Sequence, residues 1–155
     1  MASNLFSLEG KVAVVTGASR GFGRAIALGL ADAGADIVLA ARTESSLQEV
    51  AAEIETKGRR ALAVPADMGS KESVSNLATK TIEAFGKVDI LVNNAGLGSN
   101  VPFLKMTEDE WDRILDVNLK GYFLTTQAFG QHMFKARSGR VINISSAMAE
   151  QPLPY

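Results

Sequence analysis

Short apolar runs alternate along this chain with longer stretches whose hydrophobic positions recur at helical spacing. The runs are Val12-Ala13-Val14-Val15, Ile37-Val38-Leu39-Ala40, Ala61-Leu62-Ala63-Val64, Ile90-Leu91-Val92 and Val141-Ile142-Asn143-Ile144. They lack the apolar–polar alternation of a strand with one wet face, and most are rich in β-branched residues. Each therefore reads as a strand buried on both sides. Helices are predicted between them over residues 22–33, 44–57, 70–85 and 107 to about 135. The third opens on Ser70-Lys71-Glu72-Ser73, a capped start. The fourth opens on Thr107-Glu108-Asp109-Glu110, a capping box in which Thr107 and Glu110 satisfy each other's free amides. Gly34, Gly58 and Gly86 fall just past helical stretches, where a left-handed residue closes the helix.

Five strands linked by four helical connections imply right-handed crossovers and a doubly wound parallel sheet, a three-layer α/β/α fold. No linker, repeat or low-complexity segment divides the chain, so one domain is expected over residues 1–155. The fifth strand would lead into further structure, and only residues 145–155 follow it. The domain is thus expected to be incomplete at its C-terminus, with one strand edge and one sheet face uncovered.

Composition narrows the chemistry. The 16 basic and 17 acidic residues nearly cancel, so any phosphate recognition must be local, and neither nucleic acid nor anionic membrane is an expected partner. No cysteine is present, which excludes disulfides, thiolate nucleophiles and cysteine zinc sites, and one histidine, His132, leaves little for a metal centre. No secretion signal and no apolar stretch of about 18 residues stand in the sequence, and a soluble, cytoplasmic setting is the expectation.

The first strand runs directly into Thr16-Gly17-Ala18-Ser19-Arg20-Gly21-Phe22-Gly23, and a helix begins there. Each glycine has a distinct task in such a loop. Gly17 permits the tight turn, Gly21 lets a pyrophosphate approach the backbone, and Gly23 lets the helix pack close to the sheet. The helix start then offers unpaired amides and positive dipole character to the phosphates. The position between first strand and first helix is what turns a common glycine pattern into a dinucleotide signal, with Thr16, Gly17, Ser19, Arg20, Gly21, Phe22 and Gly23 as its candidate cofactor-binding residues.

The spacing Thr-Gly-x-x-x-Gly-x-Gly resembles that of the short-chain dehydrogenase/reductase family. Asn93-Asn94-Ala95-Gly96 after the fourth strand and Asn143-Ile144-Ser145-Ser146 at the end of the fifth resemble two later motifs of that family. The resemblance spans positions 16 to 146 and implies a Rossmann-like domain that binds NAD(P). An NAD site carries a carboxylate at the tip of the second strand, which a 2′-phosphate would meet with repulsion. Here that strand ends Leu39-Ala40-Ala41-Arg42, and Asp36 lies at its other end, roughly 17 Å away at about 3.3 Å per residue. Arg42, with Arg20 from the glycine loop, suits a phosphate, so NADP(H) is expected over NAD(H). On its own, Arg42 also reads as a solvated surface charge. Asp67 resembles the family's acidic residue at the adenine edge, with Met68 beside it; it equally reads as a loop-capping aspartate. Asn94, Ala95 and Gly96 resemble the segment along the adenosine ribose, while Asn93 reads as structural.

Reduction of a carbonyl by hydride transfer leaves an alkoxide that must be protonated and held. The resemblance implies a tyrosine acid, a lysine that lowers its pKa, a serine donor and an asparagine supporting a water relay. Asn118, in Asp116-Val117-Asn118-Leu119-Lys120-Gly121, resembles that asparagine, and the glycine three residues on would permit a helix distortion. As a bare sequence feature it is also a helix-surface amide. Ser146 matches the serine, with Ser145 as its alternative, although Ala149 stands where the family usually has glycine. Tyr155 follows Ser146 by nine residues, against the family's roughly thirteen, so the tyrosine is expected near position 159 and its lysine four residues later. A shortened loop would instead make Tyr155 that residue. These 155 residues are accordingly expected to be inactive by themselves.

The implied function is a short-chain oxidoreductase that moves hydride between NADP(H) and a ketone, sugar or acyl-carrier substrate, as a homo-oligomer (dimer or tetramer) in full-length form. The alternatives are a catalytically inactive dinucleotide-binding module and a partial gene product without function. His132 reads as a partly buried helix residue. Trp111, Ile114 and Leu115, and again Phe129, Met133 and Phe134, read as packing faces, the former suited to a subunit interface.

Overall fold

The computed structural model of the protein describes residues 5–146. Within them, strands β1 (Val12–Thr16), β2 (Asp36–Ala41), β3 (Ala61–Pro65), β4 (Ile90–Asn93) and β5 (Arg140–Asn143) form one parallel sheet in the order β3-β2-β1-β4-β5. Helices α1 (Gly21–Asp32), α2 (Glu44–Thr56), α3 (Lys71–Phe85), α4 (Glu108–Leu115) and α5 (Gly121–Ala136) connect the strands. The expected Rossmann-like architecture is the one observed.

The pleat explains why the strands read as unbroken apolar runs. Val12 and Val14 of β1 join Val38, Val64 and Leu91 in a core closed by Val74 and Leu77 of α3 and Leu124 and Phe129 of α5. Their neighbours Ala13 and Val15 join Ile37, Leu39 and Val92 in a second core closed by Ala27 of α1 and Leu47 and Ile54 of α2. Successive side chains point to opposite faces, and both faces are covered. Each fully buried leucine, isoleucine or valine contributes about 1.5–3 kcal/mol against an exposed position. β5 departs from this pattern: its four residues are all exposed. It forms the outer edge of the described sheet, with a neighbour, β4, on one side only.

Helix starts follow local chemistry. The Ser70 hydroxyl accepts from the Ser73 amide at 3.3 Å, and the Thr107 hydroxyl accepts from the Glu110 amide at 3.3 Å. The capping box at Thr107 is only half made. The Glu110 carboxylate, instead of reaching back to the Thr107 amide, takes a two-pronged bond from Arg113 at 2.9 Å and a hydrogen bond from Ser99. A guanidinium fork is the stronger partner, since charge assistance roughly doubles a hydrogen bond. Gly34, Gly58 and Gly86 close their helices with positive φ, as expected. The single long helix expected over residues 107 to about 135 is present as α4 and α5, joined by one π turn over Asp116–Lys120.

The edge of the sheet opposite the strand C-termini is held by charge. Asp89 accepts from the Val12 amide at 2.9 Å and from Lys87 at 2.8 Å, with Lys11 at 3.5 Å. Burial by itself would raise its carboxyl pKa. The hydrogen bonds from Lys87 and Val12, with the charges of both lysines, outweigh it and hold the group below its ordinary 3.8. A lowered folded-state pKa means that the unfolded chain takes up the proton more readily. The stabilisation is therefore complete above the ordinary value and is lost as pH falls through the lower, folded value. Asp89→Asn should lower the urea midpoint at neutral pH and lose less further stability below about pH 4. Parallel acid limbs for the two proteins would contradict this account.

Candidate functional site

The strand order reverses between β1 and β4, and the loops after their C-terminal ends diverge there to leave a crevice, the usual ligand position in an open α/β sheet. The crevice measures about 700 Å³. Its walls come from the glycine loop (Gly17, Ser19, Arg20, Gly21, Phe22, Gly23), the end of β2 and start of α2 (Ala41, Arg42, Thr43, Ser46), the β3–α3 loop (Ala66, Asp67, Met68), the segment after β4 (Asn94, Ala95, Gly96, Leu97, Gly98) and Val117. Thus every residue read from the sequence as cofactor-binding lies on this surface except Thr16.

Thr16 works from behind. It is buried, and its hydroxyl donates to the Val92 carbonyl at 3.3 Å while accepting from the Asn94 and Ala95 amides at 3.0 Å each. The Asn94 side-chain amide returns the tie, donating to the Thr16 carbonyl at 2.9 Å and the Gly17 carbonyl at 3.4 Å. These bonds clasp the ends of β1 and β4 and fix the path of the glycine loop. Gly17 takes φ +66°, and a Cβ there would come to 2.9 Å from both the Ala95 Cα and Asn94 Nδ2. Gly23 is tighter still: its Cβ would overlap the Gly17 carbonyl oxygen and reach 2.5 Å from Asn94 Nδ2. The close approach expected of Gly23 is therefore to the loop and to Asn94. Gly21, at φ +56°, would point a Cβ into open space.

The start of α1 is left unsatisfied from within. Arg20 at the cap position has an extended backbone and makes no side-chain cap, and the first turn carries no acid. By contrast, α3 and α4 are capped by Ser70 and Thr107 and carry Glu72 and Glu108 in their first turns. The α1 amides and the positive end of its dipole thus face the crevice without an internal anion. Phe22, in the same turn, is 80% exposed at the crevice wall. At the tip of β2 the crevice meets Arg42, and the Asp36 carboxylate is used at the opposite end of the strand, where it accepts from the Arg60 amide at 2.9 Å.

Asp67 is a loop cap that also stands on the crevice wall: its carboxylate accepts from the Gly69 amide at 2.9 Å. Asn93 is fully buried and structural: its oxygen accepts from Thr125 at 2.7 Å, and its nitrogen donates to Asn143 Oδ1 at 2.9 Å and Thr126 Oγ1 at 3.2 Å.

Asn118 sits in the π turn, so the distortion expected at that position is present. Its amide makes two opposed bonds to one residue, accepting from the Leu97 N–H at 2.9 Å and donating to the Leu97 carbonyl at 2.8 Å. Gly121 lets this turn press on the β3–α3 loop; a Cβ there would lie 2.9 Å from the Met68 carbonyl oxygen. Neither Asn118 nor Ser146 lines the crevice. Asn118 adjoins it through Leu97, and Ser145 and Ser146 are exposed just past β5. Tyr155 lies outside the described residues. Sequence reasoning missed Leu97 and the Thr43–Ser46 side of the crevice, since neither carries a distinctive residue type. It also missed Tyr122, whose place one turn after Asn118 was the available signal. His132 is half-buried; Phe129 and Met133 are core, and Phe134 is exposed.

Fold and crevice define a Rossmann-like α/β protein whose loop, helix start and strand switch point are built as in dinucleotide-binding domains. The model of the short chain dehydrogenase family matches residues 11–155, and the chain belongs to the short-chain dehydrogenase/reductase family. It is 42% identical over 141 residues to a 3-oxoacyl-[acyl-carrier-protein] reductase of Synechocystis, covering 90% of this chain and 57% of that protein. A metagenomic short-chain oxidoreductase solved in complex with NADP superposes with a TM-score of 0.89 at 43% identity, over 94% of this chain and 66% of that one. A 7α-hydroxysteroid dehydrogenase solved with NADH and 7-oxo glycochenodeoxycholic acid superposes with a TM-score of 0.90 at 36% identity, over 96% of this chain and 58% of that one. The chain spans a little under three-fifths of the length of the curated relatives it matches.

The loop geometry gives Gly21 and Gly23 different costs of substitution. Gly23→Ala should lower unfolding stability by about 3 kcal/mol, because backbone must move to admit the methyl group. Gly21→Ala should cost only about 1 kcal/mol, the strain of a left-handed alanine. Equal urea midpoints for the two variants would contradict the packing described here.

Proposed function

We propose that this chain is the dinucleotide-binding domain of an NADP(H)-dependent oxidoreductase that interconverts a carbonyl and an alcohol. The observation that carries the reading is the crevice at the strand switch point: an uncapped, acid-free helix start at one wall and Arg42 at the tip of β2, the strand's own carboxylate, Asp36, lying at its opposite end. A volume of about 700 Å³ suits a ligand of dinucleotide size. NADP(H), when bound, supplies or accepts the hydride.

The chain's own residues do the rest. Amides at the start of α1 hold the diphosphate, and the open space before Gly21 admits it against the backbone. Arg20 and Arg42 hold the 2′-phosphate with charge-assisted bonds worth about 1.5–3 kcal/mol each. Asp67 and Met68 border the adenine, and Asn94, Ala95 and Gly96 the adjoining ribose. Ser146 donates to the substrate oxygen, and Asn118, fixed by Leu97, orders water beside it. The relatives extend beyond the length this chain covers, and we place the proton-donating tyrosine and its lysine in that remainder. The substrate is a small carbonyl compound of 3-oxoacyl, ketone or sugar type, and the setting is cytoplasmic. Trp111, Leu115, Leu119 and Phe123 leave an exposed apolar stripe along α4, the π turn and α5, which supports a homo-oligomer.

Arg42→Ala in the full-length protein should weaken NADPH binding by about tenfold or more, the loss of one charge-assisted bond, and leave NADH binding nearly unchanged. Calorimetric titration with both dinucleotides reads this directly. Equal losses for the two would remove the assignment of Arg42 to the 2′-phosphate.

A further inference from the structure

The end of β5 is anchored from the helix that carries Asn118. Its last pairing is Asn93 with Asn143, and one residue further the Ile144 amide donates to the Asn93 carbonyl at 2.9 Å. The Ile144 carbonyl then accepts from the hydroxyl of Tyr122 at 3.1 Å. Ile144 is therefore held on both its backbone groups, and Ser146 follows two residues later, within roughly 7 Å at about 3.3 Å per residue. Tyr122 lies four residues after Asn118, one turn along the same continuous helix, and Asn118 is itself pinned to Leu97 on both sides of its amide. Below Tyr122, Thr125 and Thr126 tie the same helix to Asn93. From these contacts we infer that Tyr122 is a positioning residue, its hydroxyl setting the place of Ser146 relative to Asn118 by bonding the Ile144 carbonyl.

The chemistry of the bond suits that task. Burial raises the Tyr122 pKa above its ordinary 10.0, so the phenol stays protonated and remains a donor throughout the working pH range. A phenylalanine would keep the ring in its half-buried seat and remove only the O–H···O bond. The cost to stability is then small, whereas the cost to chemistry is larger, because a shift of about 1 Å at a reacting group can slow a reaction by up to about a hundredfold.

This inference rests on Ser146 acting as proposed above, and the test keeps the two apart. Tyr122→Phe, Ser146→Ala and the double variant are prepared in the full-length protein, with ethyl acetoacetate and NADPH as the probe reaction. Tyr122→Phe should lower kcat about tenfold, leave KM within about twofold and leave NADPH affinity unchanged. Ser146→Ala alone should lower kcat by about a hundredfold or more, and adding Tyr122→Phe to it should change nothing further, since the tyrosine acts through the serine. Amide hydrogen exchange, which needs no turnover, should quicken at Ile144, whose amide is bonded to the Asn93 carbonyl, in Tyr122→Phe and stay constant over residues 17–23. A full tenfold additional loss in the double variant, or unchanged exchange at Ile144, would overturn the role of Tyr122 while leaving Ser146 in place. Wild-type kcat in Ser146→Ala would instead overturn the serine assignment beneath it.

Discussion

The site depends on one clasp, the hydrogen bonds between Thr16 and the Asn94-Ala95 backbone and between the Asn94 side chain and the Thr16 and Gly17 carbonyls. It joins the only two neighbouring strands at which the described sheet reverses its order, and it does so at their C-terminal ends. With it, the chain leaving β1 has one path, and that path delivers the first turn of α1 to the mouth of the crevice. The threonine hydroxyl is suited to this because one atom both donates and accepts. Burial makes the arrangement exacting, since each of these polar groups would cost about 1–3 kcal/mol if left unpaired.

A second constraint sits across β4. Asn93 uses both amide hydrogens and one oxygen lone pair on α5 and β5, so the residue next to the clasp docks the opposite helical layer and the edge strand. The adjacent asparagines thus hold different parts of the molecule. Asn94 shapes the loop that meets the crevice, and Asn93 fixes the strand that leads to Ser146. Among the described residues no buried side-chain nitrogen or oxygen lacks a partner, which is what a rigid frame for a polar ligand requires.

Strand and helix order was legible because burial on both faces leaves an unmistakable run in β1, β2 and β4. The glycine loop was legible because its spacing answers to backbone geometry. The half-made capping box was not, since Glu110 chooses between a local amide and Arg113 or Ser99, and the sequence does not say which lies within reach. The apolar run Val141-Ile142-Asn143-Ile144 does not by itself say that β5 is exposed, because exposure depends on what packs beside it; the uncovered edge and face are expected from the order of elements instead. Thr16 read as part of the ligand surface because it opens the motif; only the structure shows its hydroxyl turned inward to β4. Asn118 was placed in a distorted helix correctly, yet its partner, the Leu97 backbone, carries no side-chain signal at all.

The central claim is that the amides at the start of α1, held in place by the clasp, grip a dinucleotide diphosphate. Amide hydrogen exchange of the full-length protein with and without saturating NADPH tests it most directly. The account predicts that exchange slows selectively at Ser19, Arg20, Gly21, Phe22 and Gly23 when NADPH is added. Unaltered exchange at those amides would contradict it.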